Sequence, residues 1–201
     1  MSVVVRPAGD RGALLELPDN AAATRAARVL RAERSDLVDV VLGHTTVLVT
    51  WREGVEPADL VALVQGSGGP DSSPAGRLVE IPVAYDGPDL AEVAAMAGIS
   101  PEEVVARHTG AEHVAAFLGF QPGFAYLIGG DELLHVPRRD APRTQVSGGA
   151  VAIAGPYSGV YPRASPGGWR LLGSTTAVMF DPTREPPALL APGDRVRFVA
   201  V

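Results

Sequence analysis

The sequence predicts an α+β protein of two parts, a small α/β unit followed by a larger, mainly β and barrel-like domain. Three observations carry that expectation. Residues 1–65 alternate β-branched runs with two segments of helical periodicity. Residues 66–77 are rich in Gly, Ser and Pro and hold almost no apolar surface to bury, which is the composition of a linker. In residues 78–201, Gly and Pro recur too densely beyond Gly110 for long helices, while short β-like runs repeat.

Taken in order, Val3-Val4-Val5 and Ala13-Leu14-Leu15-Glu16-Leu17 read as strands joined by a Gly9-Asp10-Arg11-Gly12 turn. Asn20 is placed to cap a helix whose Ala23, Ala26, Ala27 and Leu30 share one face. Residues 37–42 and 45–51 are β-branched runs around Gly43-His44, which predicts a hairpin with a tight turn. A second helix starts after Pro57. In the larger part, 78–83 predicts a strand, with Pro82 pointing to an edge, a bulge or a strand end. A helix from Asp89 to Met96 ends at Gly98, and a second opens on the capping box Ser100-Pro101-Glu102-Glu103. Further β-like runs fall at 113–118, 150–154, 170–173, 176–180 and 195–200.

Bulk properties remove several function classes. The 201 residues are 46% hydrophobic and 20% charged, as in ordinary folded proteins. Lys and Arg number 17 against 23 Asp and Glu, and a net charge of -6 repels phosphate backbones, so nucleic acid is not an expected partner. The helix pair at 89–108 superficially suggests a DNA-reading motif, but its second helix opens with Glu102 and Glu103 and carries only Arg107 as a fixed cation. With no cysteine, disulfide and thiolate chemistry are excluded. No leader-like segment or membrane-length apolar run is present, so a cytoplasmic protein is expected, with no membrane partner.

Three segments concentrate candidate chemistry. Gly119-Phe120-Gln121-Pro122-Gly123-Phe124-Ala125-Tyr126-Leu127 specifies a tight loop that holds rings in place. Phe120, Pro122, Gly123, Phe124 and Tyr126 are candidate ligand contacts there, the other reading being that the rings plug a barrel end. Pro137-Arg138-Arg139-Asp140-Ala141-Pro142-Arg143 packs three guanidinium groups between prolines. Such arginines suit carboxylate or phosphate, or else pair with nearby acids on a solvated loop. A third, glycine-rich segment runs from Gly148 to Trp169 and includes Gly149, Tyr161, Gly168 and Trp169 as candidates. Trp169 either stacks on a ligand or is a buried structural ring. His108 ends the capped helix, where it either relays a proton or meets the helix dipole. Asp194 reads as a turn residue. No pair of histidines has a recognisable metal spacing, so no protein-bound transition metal is expected.

In this order the three segments, together with Ser165-Pro166-Gly167-Gly168-Trp169 and Pro192-Gly193-Asp194-Arg195-Val196-Arg197-Phe198, resemble the family of the 5-oxoprolinase B subunit, allophanate hydrolase subunit 1 and KipI (carboxyltransferase subdomains C and D) from about Ile81 to Val201. The resemblance implies a ferredoxin-like N-terminal domain and a cyclophilin-like β-barrel. It further implies a non-autonomous component of an ATP-dependent cyclic-amide hydrolase, a 5-oxoprolinase. The partners implied are a homologue of the oxoprolinase C subunit and a LamB/YcsF-type protein as the A subunit, with ATP and Mg at the level of the complex. The family also includes KipI, a non-catalytic regulator that binds a histidine kinase, and members acting on other urea-like or amide substrates. The chain departs from the family pattern at Ser147 and Ala150, where Pro and Ser are usual, at Tyr157 and Ser158, where Gln and Thr are usual, and at Ser174-Thr175-Thr176, where R-T-P is usual.

A lactam is stabilised by amide resonance. The implied reaction therefore transfers the ATP γ-phosphoryl to the amide oxygen, so that water adds to the ring carbon. Stabilising the anionic charge that develops is the expected task of Arg138, Arg139, Arg143 and glycine-turn N–H groups. Arg143 and His108 are the expected catalytic groups on this reading.

Overall fold

The first two β-like runs pair with each other: β1 (Val4–Pro7) and β2 (Gly12–Glu16) form an antiparallel hairpin. α1 (Asn20–Glu33), the hairpin of β3 (Leu37–Leu42) and β4 (Thr46–Trp51), and α2 (Pro57–Gly66) follow. The computed structural model describes residues 2–52, 54–66 and 76–201. By its contacts the chain divides into two units, Met1–Pro74 and Ala75–Val201. Most of the predicted linker, 67–75, lies outside the described residues.

In the first unit the strands are ordered β1-β2-β4-β3, all antiparallel. The run β2-α1-β3-β4-α2 is a ferredoxin-like β-α-β-β-α sequence, and β1 takes the sheet edge beside β2 that a final strand after α2 would otherwise fill. α1 buries Ala22, Ala23, Ala26, Ala27 and Leu30. Four of these five are alanines, so the helix axis can approach the sheet closely. Two local expectations change. Asp19, not Asn20, is the N-cap, its carboxylate accepting from the Ala22 N–H at 2.7 Å. Asn20 instead donates from Nδ2 to the His44 carbonyl at 2.8 Å, tying the helix start to the β3–β4 turn. That turn spans Gly43 to Thr45, one residue longer than expected. Gly43 serves it by close approach, since a Cβ there would lie 2.5 Å from the Thr46 hydroxyl oxygen.

The second unit is built from β5 (Leu78–Val83), α3 (Leu90–Ala97), α4 (Pro101–Gly110), β6 (His113–Leu118), β7 (Ala125–Ile128), β8 (Arg143–Val146), β9 (Ala150–Ala154), β10 (Tyr157–Val160), β11 (Ser165–Gly167), β12 (Arg170–Ser174) and β13 (Arg195–Ala200). Seven of these strands form one sheet in the order β12-β9-β10-β7-β6-β13-β5. Its outer strands meet beyond β5, where Ala84 and Ser174 exchange both backbone hydrogen bonds at 2.9 and 2.8 Å, so the sheet nearly closes into a barrel. Pro82 sits on β5, the last strand in that order, beside β13 in parallel register. The run at 176–180 does not form a strand. It is an irregular segment that buries Met179 and makes one isolated bridge, Phe180 to Ala188. Conversely, β7, β8, β10 and β11 carry no clear strand signal, because each is only three or four residues long and interrupted by or next to Gly or Pro.

Ile81, Val83, Leu127, Val151, Val196 and Phe198 belong to the main barrel core, where each large side chain contributes about 1.5–3 kcal/mol by leaving water. Outside the sheet, Val93 and Ala94 of α3 and Val104 of α4 pack with Leu134, Val136, Ile153 and Leu172. The helix pair is thus a cover for the barrel wall. Ser100 caps α4 through the Glu103 N–H at 3.2 Å, and Gly98 closes α3 in the left-handed conformation at φ 70°. Both are legible in the sequence.

Candidate functional site

β9 explains where a cleft can form. Alternation along the strand puts Ala150, Ala152 and Ala154 on one face, and these small side chains leave room for Phe124, Tyr161 and Trp169 to pack over them. Phe124 meets Tyr161 and Trp169 edge to face at 5.4 and 5.3 Å between centroids, and Tyr126 meets Trp169 at 5.6 Å. Gly167 completes the fit, since a Cβ there would lie 2.3 Å from the Tyr161 hydroxyl.

Over these rings opens a cleft of about 100 Å3, lined by Phe120, Phe124, Tyr126, Arg138, Tyr161, Pro166, Gly167, Gly168 and Trp169. Seven of the residues singled out in the sequence therefore converge: Phe120, Phe124, Tyr126, Arg138, Tyr161, Gly168 and Trp169. Sequence reasoning missed Pro166 and Gly167 as individual contacts, although they lie inside a segment it singles out. Phe120 stands at the mouth, 61% exposed and held at φ 70°. A bulky residue in the left-handed region is strained by roughly 1–2 kcal/mol. Trp169, only 5% exposed, is both a packed ring and part of the cleft wall.

The three arginines separate. The Arg138 guanidinium carbon lies 5.9 Å from the centre of the Trp169 ring, a cation–π arrangement, and among the described residues it has no carboxylate partner. Arg139 and Arg143 instead share Asp89: Arg139 Nη1 and Arg143 Nη2 donate to Asp89 Oδ1 at 3.0 and 2.7 Å. Asp89 is 2% exposed. Burial alone raises its pKa, but the Arg143 hydrogen bond, the Leu171 N–H and the two cationic charges outweigh that, leaving the pKa lowered and the group ionised. Arg139 and Arg143, expected to stabilise an anion, are thus both held by one buried carboxylate, and Glu92 lies a further 3.7 Å from Arg139. The acid-pairing reading holds for these two. Arg139 Nε and Arg143 Nη1 remain buried without a hydrogen-bond partner.

The remaining candidates lie elsewhere. Pro122 faces a second hollow, of about 130 Å3, with Pro162, Arg163 and Phe180. Gly123 and Gly149, at φ 82° and 81°, are close-approach positions: a Cβ would lie 2.6 Å from Phe180 Cβ in one case and 2.3 Å from the Thr175 carbonyl oxygen in the other. Asp194 is a turn residue, accepting from the Ala191 N–H at 2.9 Å.

His108, expected as a catalytic group, lies in the interior and not among the residues that line the cleft. It is 1% exposed and stacks on Phe198 at 4.4 Å, with Nδ1 2.7 Å from the Tyr85 hydroxyl and Nε2 3.1 Å from Ser158 Oγ. His113 Nε2 lies 3.3 Å from the same Ser158 oxygen. One hydroxyl hydrogen serves only one of the two rings, so one histidine accepts at Nε2 and the other donates there. Burial lowers the pKa of His108 to about 3 and that of His113 to about 4, so both rings are neutral at neutral pH. His108 is therefore a neutral interior ring that does not line the cleft of Arg138 and Trp169. Its pairing with Ser158 spans 50 residues and leaves no local sequence signal. Ser158 keeps a hydroxyl at a position where the family pattern has Thr.

Fold and cleft together define a two-part α+β protein with an aromatic-walled cleft on a β-barrel. The chain belongs to the family of the carboxyltransferase domain, subdomains C and D, whose sequence pattern matches residues 3–190. It is 56% identical over 129 residues to the B subunit of 5-oxoprolinase from Escherichia coli O157:H7, a match covering 63% of this chain and 59% of that protein. To the corresponding 5-oxoprolinase B subunit of Haemophilus influenzae it is 40% identical over 178 residues, covering 86% and 83%. The crystal structure of TTHA0988 superposes with a TM-score of 0.83 at 39% identity, over 95% of this chain and 40% of that one. The chain thus spans less than two thirds of the Escherichia coli relative and less than half of TTHA0988. Among the described residues, no helix is long and apolar enough to cross a membrane.

Proposed function

We propose that this chain is the B subunit of an ATP-dependent 5-oxoprolinase, hydrolysing the lactam of 5-oxoproline to glutamate together with a C-subunit homologue and a LamB/YcsF-type A subunit. The observation that carries the reading is the cleft itself: an arginine with no carboxylate partner among the described residues, held over an aromatic wall, in a space the size of a small ring. The names of the relatives at 40% and 56% identity support it.

On this reading Arg138 pairs with the substrate carboxylate, for which a guanidinium supplies two parallel donors. Phe124, Tyr126 and Trp169 pack against the ring and exclude water from it. Tyr161 closes the floor. Burial raises its pKa, against the opposing effects of the Trp169 backbone, Arg138 and Arg143, so it meets the substrate as a neutral phenol. ATP and Mg belong on this reading to the complex as a whole, and the part played by this chain is to hold and orient the lactam.

The test is 5-oxoproline-dependent ADP release by the chain co-purified with the C and A homologues. Turnover is expected only in the full assembly. Arg138→Ala is expected to raise KM about tenfold to a hundredfold, as the loss of one charge-assisted pair. A well-formed complex without turnover would sink the assignment and leave a regulatory role, or another amide substrate, as the reading to pursue.

A further inference from the structure

Asp89 occupies the N-cap position of α3, yet its carboxylate makes no capping bond to that helix. It is turned instead toward three donors: Arg139 Nη1 at 3.0 Å, Arg143 Nη2 at 2.7 Å and the Leu171 backbone N–H at 2.7 Å. Each donor belongs to a segment that builds the same side of the cleft. Arg139 follows Arg138 directly, and its backbone N–H donates to the Gly168 carbonyl at 2.8 Å. Arg143 stands opposite Gly167 in the β8–β11 ladder. Leu171 lies two residues beyond Trp169 on β12. Glu92, one turn further along α3, lies 2.6 Å from Arg170 Nη1 and 3.7 Å from Arg139 Nη1, but its side chain is half exposed and water competes for it. Asp89 is nearly sealed, so no water replaces it.

We propose that Asp89 is the positioning residue of the cleft, fixing the Arg138 loop and the Gly167–Trp169 rim against each other through one buried carboxylate. It touches nothing in the cleft itself and acts through Arg138. The kinetic consequence rests on the function proposed above, whereas the geometric one does not. Without Asp89, the 138–143 loop loses its one buried side-chain anchor and keeps only the half-exposed Glu92, two guanidinium groups are left facing each other, and Arg138 leaves its place over Trp169.

The experiment has two arms. In the assembled complex, KM and kcat for 5-oxoproline are measured for wild type, Asp89→Asn, Asp89→Glu, Arg138→Ala and the Asp89→Asn/Arg138→Ala double variant. Asp89→Asn is expected to raise KM at least about tenfold with kcat changed far less, and Asp89→Glu to recover part of the loss. The double variant is expected to be no worse in KM than Arg138→Ala alone, because the two act through one contact. In the second arm, the NMR resonance of Arg138 Nε–H, displaced by the Trp169 ring current in the isolated chain, is expected to lose that displacement in Asp89→Asn and to keep part of it in Asp89→Glu. A purely structural role predicts a lowered melting temperature and active fraction with unchanged KM, multiplying effects in the double variant and an unmoved Arg138 resonance; that pattern overturns the proposal. If the wild-type complex has no turnover, the oxoprolinase reading fails, and the Arg138 resonance alone decides the role of Asp89.

Discussion

Arg138, Arg139 and Arg143 are chemically identical and lie within six residues, yet only the first faces the cleft without a carboxylate among the described residues. What separates them is where one buried acid reaches. Arg138→Lys keeps the charge but loses the planar fork and its stacking on Trp169, so, on the function proposed above, the KM for 5-oxoproline is expected to rise nearly as far as in the alanine variant. Phe120 offers a test of strain held at a site. Its φ of 70° suits glycine, and its ring is largely in water. Phe120→Gly relieves roughly 1–2 kcal/mol of backbone strain. Thermal unfolding is therefore expected at no lower a temperature than wild type, while substrate binding weakens because the mouth of the cleft loses its ring.

At the scale of the element, β9 does the most to shape the cleft. Its Ala150, Ala152 and Ala154 face the aromatic rings, and all five of its residues are buried. Ala152→Leu forces that layer outward and is expected to cost about 1–3 kcal/mol, read as a lowered denaturant midpoint. It is also expected to close the cleft. Ala152→Gly, which adds no volume, should spare the cleft and lose only about 1 kcal/mol. In the smaller unit, Asp19→Ala is expected to destabilise α1 by about 1 kcal/mol, since Asp19 carries the cap that the sequence pattern alone assigns to Asn20.

For the whole molecule, the interior pair His108 and His113 couples folding to pH. Unfolded histidine titrates near 6.5, whereas the folded values are about 3 and about 4, so the folded pKa is the lower in both. Below pH 6.5 the unfolded chain binds protons that the folded chain refuses. Stability is complete above that value and falls as the pH drops toward 4, by about 1.4 kcal/mol per pH unit for each histidine. Urea unfolding at pH 7 and pH 5 checks this. Equal midpoints would mean that the rings protonate within the folded barrel.

By itself the sequence determined whatever depends on neighbours along the chain: the division into an α/β part and a β-rich part, the Ser100 cap and Gly98 stop, and the ring-bearing loop at 119–127. The ordered glycine, proline and arginine segments also named the family, because each specifies a local backbone shape or a charge spacing that is read in order. Tertiary structure decided the rest. The pairing of Asp89 with Arg143 spans 54 residues and that of His108 with Ser158 spans 50, and no local pattern encodes either. The short strands β7, β8, β10 and β11 likewise depend on partners that pair with them, because each is only three or four residues long and lies beside or across Gly or Pro. Burial and ion pairing, which set whether a charge is free to act, are properties of the folded surroundings, and here they left one arginine of three to face the cleft.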